Sequence, residues 1–553
     1  MVTALFLSLI FARPLVISGV RVEGTKTLSK TEIKSILRIK RGDKYYPPLY
    51  NNNKLNLIRE LRERGYFEAK IIEERVEEKD DKVYITLRIS EGKRYRISAQ
   101  YISWLAPDTA YYQRTISILH LPLPRYYASS ELTERETKAI DFLRNIGYLN
   151  AEIQRITAED SINKTCTVTH AITKGTRYVV KQMSIKGNST VRRKIIEREI
   201  TVKPGQYVSP AAILESIRRI YSTGLFTTVY HSYEFTDDSL ISITFNVKER
   251  KTRYFRLQGG IYPFSLINLN AEGGHRNLFD NNQNLSIRIE NGLEPFDRFI
   301  KLYGEVLYSE PYFFNTSLKM NLKLFGGTSK IDSSSYFGIE SYLSHYWSQK
   351  SRTIMGLQWR KFLEGQFSDG ITNKAIFGSI IDTRDNLLFP SRGFYLLVDL
   401  SRAGGILGGN YHFYKYQLSG SFYRQIWKPG GIFALRLSAG QIIPFNNSDI
   451  PAIEKFKIGG DGTLRGFRYS QFYSTDFFLF NTELRSMVSR KVGLNLLFDV
   501  FPQIEGKVWY SFGLGFRYFL PIGNLRVDWM YTPYRIGDKG YYGNLYINLG
   551  EMF

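Results

Sequence analysis

From about residue 254 onward, the sequence alternates apolar and polar side chains in one segment after another, and this pattern limits the fold more than any other feature. Residues 318–324, for example, read Leu, Lys, Met, Asn, Leu, Lys, Leu, and residues 285–290, 394–401 and 524–529 repeat the pattern. A period of two residues predicts β-strands with one apolar and one polar face. The pattern lasts for about 300 residues, which is long for a single soluble β-sandwich.

The composition of this region indicates that the apolar face of the strands contacts a membrane. After the first dozen residues, no apolar run is long enough for a membrane helix. Beyond residue 254 aromatic residues become more frequent and charged residues less frequent, and aromatics gather near the expected strand ends, as at Tyr308 and 312–314. Such girdles are typical of transmembrane β-barrels. At about 19 residues per strand and turn, residues 254–553 predict an all-β transmembrane barrel of roughly sixteen antiparallel strands.

The preceding region contains an internal repeat with a period of about 80 residues. Its markers are Gly65, Gly147 and Gly224, each at the end of an amphipathic helix and suited to a left-handed C-cap. Each unit opens with a strand and closes with two strands, which gives the order β-α-α-β-β. We therefore predict three α+β modules at residues 13–91, 92–175 and 176–250. Basic segments that contain Arg-Tyr mark their junctions: Gly92–Tyr95, Gly175–Tyr178 and Lys251–Tyr254.

The remaining global features indicate where the chain works. Residues 1–12 resemble the apolar core of a secretory signal peptide. The single cysteine, Cys166, excludes an intramolecular disulfide. The net charge of +23 is compatible with a basic surface near anionic lipid or lipopolysaccharide, and charge alone gives no reason to prefer nucleic acid. We predict no nucleic-acid partner.

Enzymatic motifs are missing from the sequence. The six histidines show no metal-ligand spacing, and neither a G-x-S-x-G nor a Walker motif occurs. Asp382 and Asp385 could form a carboxylate pair, but a turn next to Pro390 explains them better. We predict no catalytic residue, no metal site and no cofactor.

Several short motifs in a fixed order resemble the BamA/TamA-like outer-membrane insertase superfamily, in which POTRA domains precede a C-terminal β-barrel. The most specific is Gly459–Phe467 (GGDGTLRGF), which is similar to the family's V-R-G-F/Y loop with Leu464 in place of valine. The others are Arg276–Gln283, with Asp280 and Asn282 in place of glycines, Glu310–Tyr312, Asp382–Gly393, Gly515–Arg517, Pro521–Asp528 and the terminal aromatic Phe553.

In this family the loop folds back into the barrel lumen, and the resemblance implies the same for Leu464, Arg465, Gly466 and Phe467. An arginine buried in the lumen needs a carboxylate partner, because an unpaired buried charge is costly. The period-two pattern offers three acids that would point inward: Asp499, Asp528 and Glu483. We expect Asp499 or Asp528, rather than Glu483, to pair with Arg465, and the sequence favours these two about equally. Because the loop is rich in glycine, we expect charge rather than packing to hold it.

The resemblance implies a factor that inserts and folds β-barrel proteins, or translocates autotransporter-like clients, in the outer membrane of a Gram-negative bacterium. Its POTRA modules would lie in the periplasm, and its barrel would open laterally between the first and last strands. Glycine weakens strand pairing, so Gly259 and Gly260 in the first strand and Gly543 in the last mark the expected seam. Phe553 would be the C-terminal signal.

The partners implied are unfolded outer-membrane β-barrel clients, periplasmic or inner-membrane accessory proteins, and the surrounding lipid and lipopolysaccharide. A general insertase and a TamA-like translocation factor both fit the sequence. Two other readings stay open: a two-partner-secretion transporter, which normally has two modules and a plug helix, and a passive porin or structural barrel, against which the Arg-Gly-Phe loop argues.

Overall fold

The computed structural model describes residues 15–553, except 105–108, 263–265, 294–298, 330–333, 349, 365–368, 428–429, 490, 503–505, 521–522 and 537–540. The predicted signal segment therefore lies outside the described residues. The chain divides into two compact units, one with most of the chain up to Val247 and the other with most of it from Lys248 onward. Within the described ranges, no helix is both long and apolar enough to cross a membrane.

The first unit contains most of the elements of the predicted modules. The first module comprises β1 (Val16–Glu23), α1 (Lys30–Leu37), α2 (Pro47–Glu63), β2 (Lys70–Lys79) and β3 (Lys82–Ser90). The second comprises β4 (Arg96–Trp104), α3 (Thr109–Leu119), β5 (Arg125–Tyr126), α4 (Ser129–Asn145), β6 (Glu152–Asp160) and β7 (Thr165–Thr173). The third comprises β8 (Val179–Lys186), α5 (Arg193–Glu197), α6 (Pro210–Ser222), β9 (Phe226–Asp237) and β10 (Leu240–Glu249).

The three sheets share one topology, which confirms the predicted β-α-α-β-β repeat. In each, the opening strand pairs in parallel with the last strand. The last two strands form an antiparallel hairpin in the first two modules, and in the third they are also neighbours in the sheet. The strand orders are β1-β3-β2, β5-β4-β7-β6 and β8-β10-β9. In the first module, the apolar faces of both helices bury Leu37, Leu57 and Leu61 against the central strand β3. The parallel pairing explains why two helices must intervene, since such strands need a crossover.

The ends of the helices follow from local sequence. Ser29 accepts a hydrogen bond from the Glu32 amide, and Glu32 accepts one from the Ser29 amide, which forms a capping box for α1. Gly65, Gly147 and Gly224 have φ angles of 93°, 109° and 75°. These angles lie in the left-handed region that glycine tolerates best, as predicted for the ends of these helices.

The second unit is built on one antiparallel sheet of 16 strands, in agreement with the predicted number. Each strand pairs with the next along the chain, in the order β11-β12-β13-β14-β15-β16-β17-β18-β19-β20-β21-β24-β25-β26-β27-β28. The first eight are β11 (Arg253–Tyr262), β12 (Leu266–Leu278), β13 (Gln283–Leu293), β14 (Phe299–Glu310), β15 (Leu318–Ser329), β16 (Ser334–Tyr346), β17 (Arg352–Glu364) and β18 (Ile371–Asp382). The others are β19 (Gly393–Ala403), β20 (Phe413–Trp427), β21 (Gly431–Pro444), β24 (Asp476–Met487), β25 (Val492–Pro502), β26 (Val508–Leu520), β27 (Gly523–Ile536) and β28 (Tyr541–Leu549).

The two faces of this sheet differ in the way that a barrel in a membrane requires. On β25, Leu494 and Leu496 are 52 % and 55 % exposed, whereas Asn495 is 2 % exposed. The same holds on β27, where Trp529 is exposed and Asp528 is buried. Large apolar side chains thus cover the outside while polar ones lie inside, the reverse of a soluble protein.

Two turns show how the sequence departs from the family pattern without losing the geometry. In the turn between β12 and β13, Asp280 and Asn282 have φ angles of 53° and 61°. The family motif that this turn resembles has glycine at these two positions, and Asp and Asn are the other residues that enter the left-handed region readily. In the turn after β18, Arg384 pairs with Asp382 at 2.8 Å, and Asp385 accepts hydrogen bonds from the Ser391 and Arg392 amides. This confirms a turn rather than a carboxylate pair.

Candidate functional site in the barrel lumen

The connection between β21 and β24, residues 445–475, is the site on which the sequence motifs converge. It contains a short hairpin of β22 (Phe456–Ile458) and β23 (Phe472–Ser474), which pair with each other and not with the 16-stranded sheet. The tip of this hairpin, residues 459–471, carries the predicted motif. We call residues 445–475 the lumenal loop, because its tip contacts inward-facing residues of several strands.

Arg465 is completely buried at the tip. Its Nε and Nη2 atoms donate to the two carboxylate oxygens of Asp499 at 2.8 and 2.7 Å, and its backbone amide donates to the same carboxylate at 3.0 Å. Nη1 lies 2.5 Å from Glu483 Oε1 and 3.5 Å from Asp528 Oδ2. The structure therefore brings Arg465 together with all three acids, and Asp499 makes the bidentate pair. A planar guanidinium suits this fork-shaped arrangement, which is among the stronger hydrogen-bonded pairs.

A second layer of arginines compensates the charge of these acids. Arg485 Nε donates to Glu483 at 2.8 Å, and Arg517 Nη1 lies 2.5 Å from Asp528. Both arginines are fully buried, and neither was identified from the sequence as part of the site. Glu483 and Arg485 lie two residues apart on β24, so the period-two pattern already places them on one face. The Arg517–Asp528 contact becomes visible only once the strand register is known, because these two residues lie on different strands.

Packing holds the tip as well as charge, which corrects the expectation that charge alone does so. Leu464 and Phe467 are completely buried and belong to one cluster with Ile458, Leu479 and Phe501. The ring of Phe467 also lies 5.9 Å from that of Trp509. The alternation of the sequence does not predict this cluster, because Leu479 and Phe501 lie on the inward face, for which the pattern predicts polar residues.

The glycines of the tip are required by close approach. Gly459 has a φ angle of 117°, and a Cβ atom there would lie 2.2 Å from the Arg468 carbonyl oxygen. Gly466 has a φ angle of 91°, and a Cβ atom there would lie 2.9 Å from Ser511 Cβ on the barrel wall. The motif therefore combines a buried cation with a backbone that can approach the wall directly.

The lumenal loop has a second anchor, which the sequence did not reveal. Glu454 is 3 % exposed, and its carboxylate lies 2.7 Å from Arg360 on β17 and 2.9 Å from Lys374 on β18. Lys415 on β20 donates to the Glu454 carbonyl oxygen at 2.6 Å. The base of the loop is thus fixed to strands β17–β20 and its tip to strands β24–β27, so the loop bridges two parts of the sheet.

The last strand contacts the tip directly. The Tyr546 hydroxyl on β28 accepts a hydrogen bond from the Gly466 amide at 3.0 Å and donates to the Phe467 carbonyl at 2.7 Å. Beyond β28, Glu551 lies 2.9 Å from Arg517 Nε. The Phe553 carbonyl accepts from Arg485 at 3.1 Å, so Phe553 lies past the last strand and close to the buried arginines.

The three glycines predicted at the seam lie on the two edge strands of the sheet. Gly259 and Gly260 lie in β11 and are paired with Leu269 and Asn268 of β12. Gly543 lies in β28 opposite Tyr531, with a φ angle of 132°. The register of β28 against β27 shifts beyond this position, so the last strand carries an irregularity at Gly543.

The glycine markers of the modules have a role beyond capping helices. The Tyr95 amide donates to the Gly65 carbonyl, and the Tyr178 amide donates to the Gly147 carbonyl, both at 2.9 Å. In addition, Arg177 Nε donates to the Ile146 carbonyl at 2.8 Å. The Arg-Tyr segment at the start of one module thus binds the glycine turn of the module before it. The sequence contained both motifs, but their separation along the chain concealed the contact.

Two carboxylates in the modules serve matching structural roles. Glu91 accepts from the Thr27 amide at 2.9 Å, and Glu249 accepts from the Val191 amide at 2.8 Å. Partial burial raises the pKa of Glu249, but hydrogen bonds from the Thr190 hydroxyl and nearby amides outweigh it and lower the pKa to about 2. The same balance lowers the pKa of Glu91. Each carboxylate fixes the segment that follows the opening strand of its module.

The chemistry available in the lumen is electrostatic and mechanical. Over the ranges that the structure describes, no group of three or more His, Cys, Asp or Glu side chains is placed to hold a metal ion. The carboxylates near Arg465 are committed to arginines. A loop held by buried ion pairs at its base and tip can fix the shape of the barrel interior, and this points to a conformational role.

The fold and this site define a class: a transmembrane β-barrel with a lumenal loop, preceded by repeated α+β modules. A family model described as the Omp85 superfamily domain matches residues 277–553. A second model, the surface antigen variable number repeat or POTRA, matches residues 15–92 and 178–250. The chain belongs to the Omp85 superfamily.

Two similar proteins are named as outer membrane protein assembly factors. The chain is 21 % identical to the outer membrane protein assembly factor BamA of Nitratidesulfovibrio vulgaris, over 98 % of this chain and 73 % of that protein. It is 24 % identical to BamA of Buchnera aphidicola over 56 % of this chain and 51 % of that protein. The crystal structure of Haemophilus ducreyi BamA lacking POTRA domains 1–3 aligns with a TM-score of 0.59 and 16 % identity, over 83 % of this chain and 100 % of that one. The alignment with this crystal structure supports the fold of the chain.

Proposed function

We propose that this protein is an assembly factor that inserts and folds β-barrel proteins in the outer membrane of a Gram-negative bacterium, with its modules in the periplasm. Relatives named as outer membrane protein assembly factors support this function. The observation in the structure that carries it is the buried Arg465 with its three acids. A loop fixed across the lumen narrows the path that a passive pore would need.

The mechanism needs neither a nucleotide nor a catalytic group. Edge strands expose unpaired backbone donors and acceptors, which are a template for a further strand. We propose that β11 and β28 form a seam at Gly259, Gly260 and Gly543, that the seam opens toward the lipid, and that a client strand pairs there. Phe553 acts as the signal by which the barrel itself is recognised for assembly.

In this mechanism the lumenal loop keeps the barrel in register while the seam opens. Leu464, Arg465, Gly466 and Phe467 fix the tip to strands β24–β27, with Asp499, Glu483 and Asp528 as the acidic partners. Glu454 holds the base to β17, β18 and β20. The loop therefore ties the middle strands of the sheet to the strands that adjoin β28, and β28 itself contacts the tip through Tyr546.

The three modules would receive clients before insertion. We propose boundaries at residues 13–91, 92–175 and 176–250, after a signal peptide at residues 1–12. β2, β6 and β9 lie at the edges of their sheets, and an extended client segment can add to such an edge. Unfolded β-barrel chains are the partners of these edges, and accessory proteins of the periplasm or inner membrane complete the assembly.

Reconstitution tests the function directly. Vesicles that contain the purified full chain should accelerate the folding of an urea-unfolded β-barrel client, measured by its heat-modifiable migration in SDS gels. Vesicles with Arg465→Ala protein should be much less active, and empty vesicles give the uncatalysed rate. Equal client folding in vesicles with and without the protein would contradict the proposal. A large ion conductance without any effect on client folding would favour a passive pore.

A further inference from the structure

A groove crosses the lipid-facing side of strands β16–β20, far along the sheet from the seam. Its volume is about 630 Å³. Cross-strand pairing places its lining in two rows. One row is Ser341, Leu357, Ala375, Arg402 and Tyr414, and the other is Leu343, Met355, Phe377, Leu400 and Tyr416. Both rows share the outer face, on which Leu357 and Leu400 are exposed.

The shape of the groove follows from residue size. In the first row, Ser341 and Ala375 are small and lie on either side of Leu357. The second row places the larger Met355 and Phe377 beside them. The small side chains lower the surface and the large ones form a wall. An apolar channel on a lipid-facing surface suits an acyl chain.

Arg402 makes this groove different from the rest of the apolar outer face. It is the direct cross-strand neighbour of Ala375, so the small side chain leaves room above it. Its guanidinium carbon lies 5.5 Å from the Tyr414 ring centre and 5.9 Å from that of Phe445. Its Nε atom is buried without a hydrogen-bond partner, and no carboxylate pairs with Arg402 anywhere in the described part of the chain. A cation on the lipid side of a barrel is costly unless an anion accompanies it.

The strand order fixes the leaflet in which this cation lies. β19 is the ninth strand of the sheet and runs in the same direction as β11, because all neighbours are antiparallel. β11 begins where the proposed periplasmic modules end, so both strands run toward the outer surface. Arg402 is the penultimate residue of β19, and it therefore lies on the outer-leaflet side.

We infer that this groove is a binding site for a phosphorylated glycolipid of the outer leaflet, the lipid A part of lipopolysaccharide. An acyl chain fills the apolar channel between Leu357 and Phe377, and a phosphate accepts hydrogen bonds from Arg402. Arginine binds phosphate through its planar fork. The inference rests on the outer-membrane location within the proposed function, and it assigns the barrel a fixed lipid contact opposite to its moving edge.

Native mass spectrometry of the purified full chain in detergent tests the inference without any assay of client insertion. The probes are bisphosphorylated lipid A and the same lipid A with its phosphates removed. Wild-type protein should bind the phosphorylated form about 10-fold more tightly, since a charge-assisted hydrogen bond contributes about 1.5–3 kcal/mol. Arg402→Gln should remove this preference, and Arg402→Lys should keep part of it. Excess inorganic phosphate should not compete, because it cannot fill the channel.

Matched variants separate the two halves of the site. Ala375→Phe fills the channel and should weaken the binding of both forms of lipid A about equally. Arg424→Gln removes an arginine from the exposed outer face of β20 at the opposite end of the barrel and should change neither affinity. Each variant is first checked for heat-modifiable migration, and Arg402→Lys carries the test if Arg402→Gln does not fold. Unchanged phosphate preference in the Arg402 variants, or equal wild-type binding of both lipids, would overturn the inference.

Discussion

At the scale of single residues, Arg465 is the side chain on which most of the lumenal geometry depends. Its guanidinium contacts Asp499, Glu483 and Asp528, and its backbone amide contacts Asp499 as well. Removal of one member of a buried ion pair destabilises the fold by more than the intact pair stabilises it, because the remaining charge stays desolvated. Removal of Arg465 would leave two neighbouring acids, Asp499 and Glu483, without the cation that they share.

Arg465→Ala should therefore lower the stability of the folded barrel and impair client assembly. Removing one partner of a buried pair costs on the order of 3–5 kcal/mol. The barrel should still form, because Leu464 and Phe467 keep their packing. Arg465→Lys should restore only part of the function, since lysine lacks the planar fork. Heat-modifiable migration and the client-folding assay measure the two effects.

The acids should differ in their importance. Asp499→Asn should resemble Arg465→Ala, because Asp499 makes the bidentate contact. Asp528→Asn should disturb the lumenal loop less than Asp499→Asn does, since Asp528 lies 3.5 Å from Arg465 and pairs mainly with Arg517. Full client-folding activity of both Arg465→Ala and Asp499→Asn would show that the tip needs no charge lock.

The sequence predicted Arg465 and its acids but not their surroundings, and the reason is physical. Period-two alternation states which face a residue lies on, so Asp499 and Asp528 were recognisable as inward. It does not state which strands lie across the lumen from each other. Glu454 contacts residues of β17, β18 and β20 that are 94, 80 and 39 positions away. Such contacts depend on closure of the sheet and on the path of a long loop, and neither leaves a local signal.

At the scale of elements, the sequence predicted the modules well because helix caps and strand alternation are local. The third module shows the limit. The order β-α-α-β-β predicts two helices in this module, but the first of them, α5, covers only the five residues Arg193–Glu197. Thr190 and Val191 instead donate their amides to Glu249, a residue nearly 60 positions later. A distant carboxylate thus fixes the segment that precedes the helix.

The junction between the second and third modules gives one prediction at this scale. Arg177 donates to the Ile146 carbonyl and lies 3.4 Å from the Tyr207 ring centre. Arg177→Ala should loosen the junction and increase proteinase K cleavage near residue 175 several-fold, since exposed mobile segments are cut first. Lys181→Ala, an exposed residue of β8, is the control. An unchanged cleavage pattern in Arg177→Ala would show that the contact does not fix the junction.

Glu249 gives a second prediction, which concerns pH. Its pKa is lowered to about 2 in the folded protein, below the usual value of about 4.3 for glutamate. The carboxylate therefore contributes its stabilisation above about pH 4.3, and the contribution is lost as the pH falls toward 2. Glu249→Gln should lower the free energy of unfolding by about 1 kcal/mol near pH 7. The difference from wild type should vanish near pH 2.

Urea unfolding of the full chain in detergent measures this effect. The α-helices of the described residues all lie in the modules, so the α-helical far-UV circular dichroism signal reports on the modules. Glu234→Gln on the exposed side of β9 is the control and should change little at any pH. A Glu249→Gln effect that is the same at pH 7 and pH 2 would contradict the assigned role of the carboxylate.

At the scale of the whole molecule, the proposed function depends on movement of the edge strands. A disulfide between one cysteine in residues 256–262 and one in residues 543–549 should block client assembly when oxidised, and reduction should restore it. The two Cα atoms must lie within about 7 Å for the bond to form. Cys166 is buried in β7 and is replaced by alanine to exclude mispairing.

A matched pair of cysteines within the paired strands β16 and β17 controls for oxidation itself. Gel migration of the oxidised protein shows how completely each bond has formed. If the protein with a fully formed seam disulfide assembles clients as fast as the reduced protein, lateral opening is not part of the mechanism.

The hydroxyl of Tyr546 makes the state of the last strand and the state of the lumenal loop thermodynamically linked. Its two hydrogen bonds, to the Gly466 amide and the Phe467 carbonyl, exist only while β28 and the tip are both in place. By reciprocity, a client that binds better when β28 is displaced must weaken the seating of the tip by the same factor, and a ligand that seats the tip must disfavour client binding to that degree. The seam and the lumen therefore form one allosteric system, and either can be used to read or control the other.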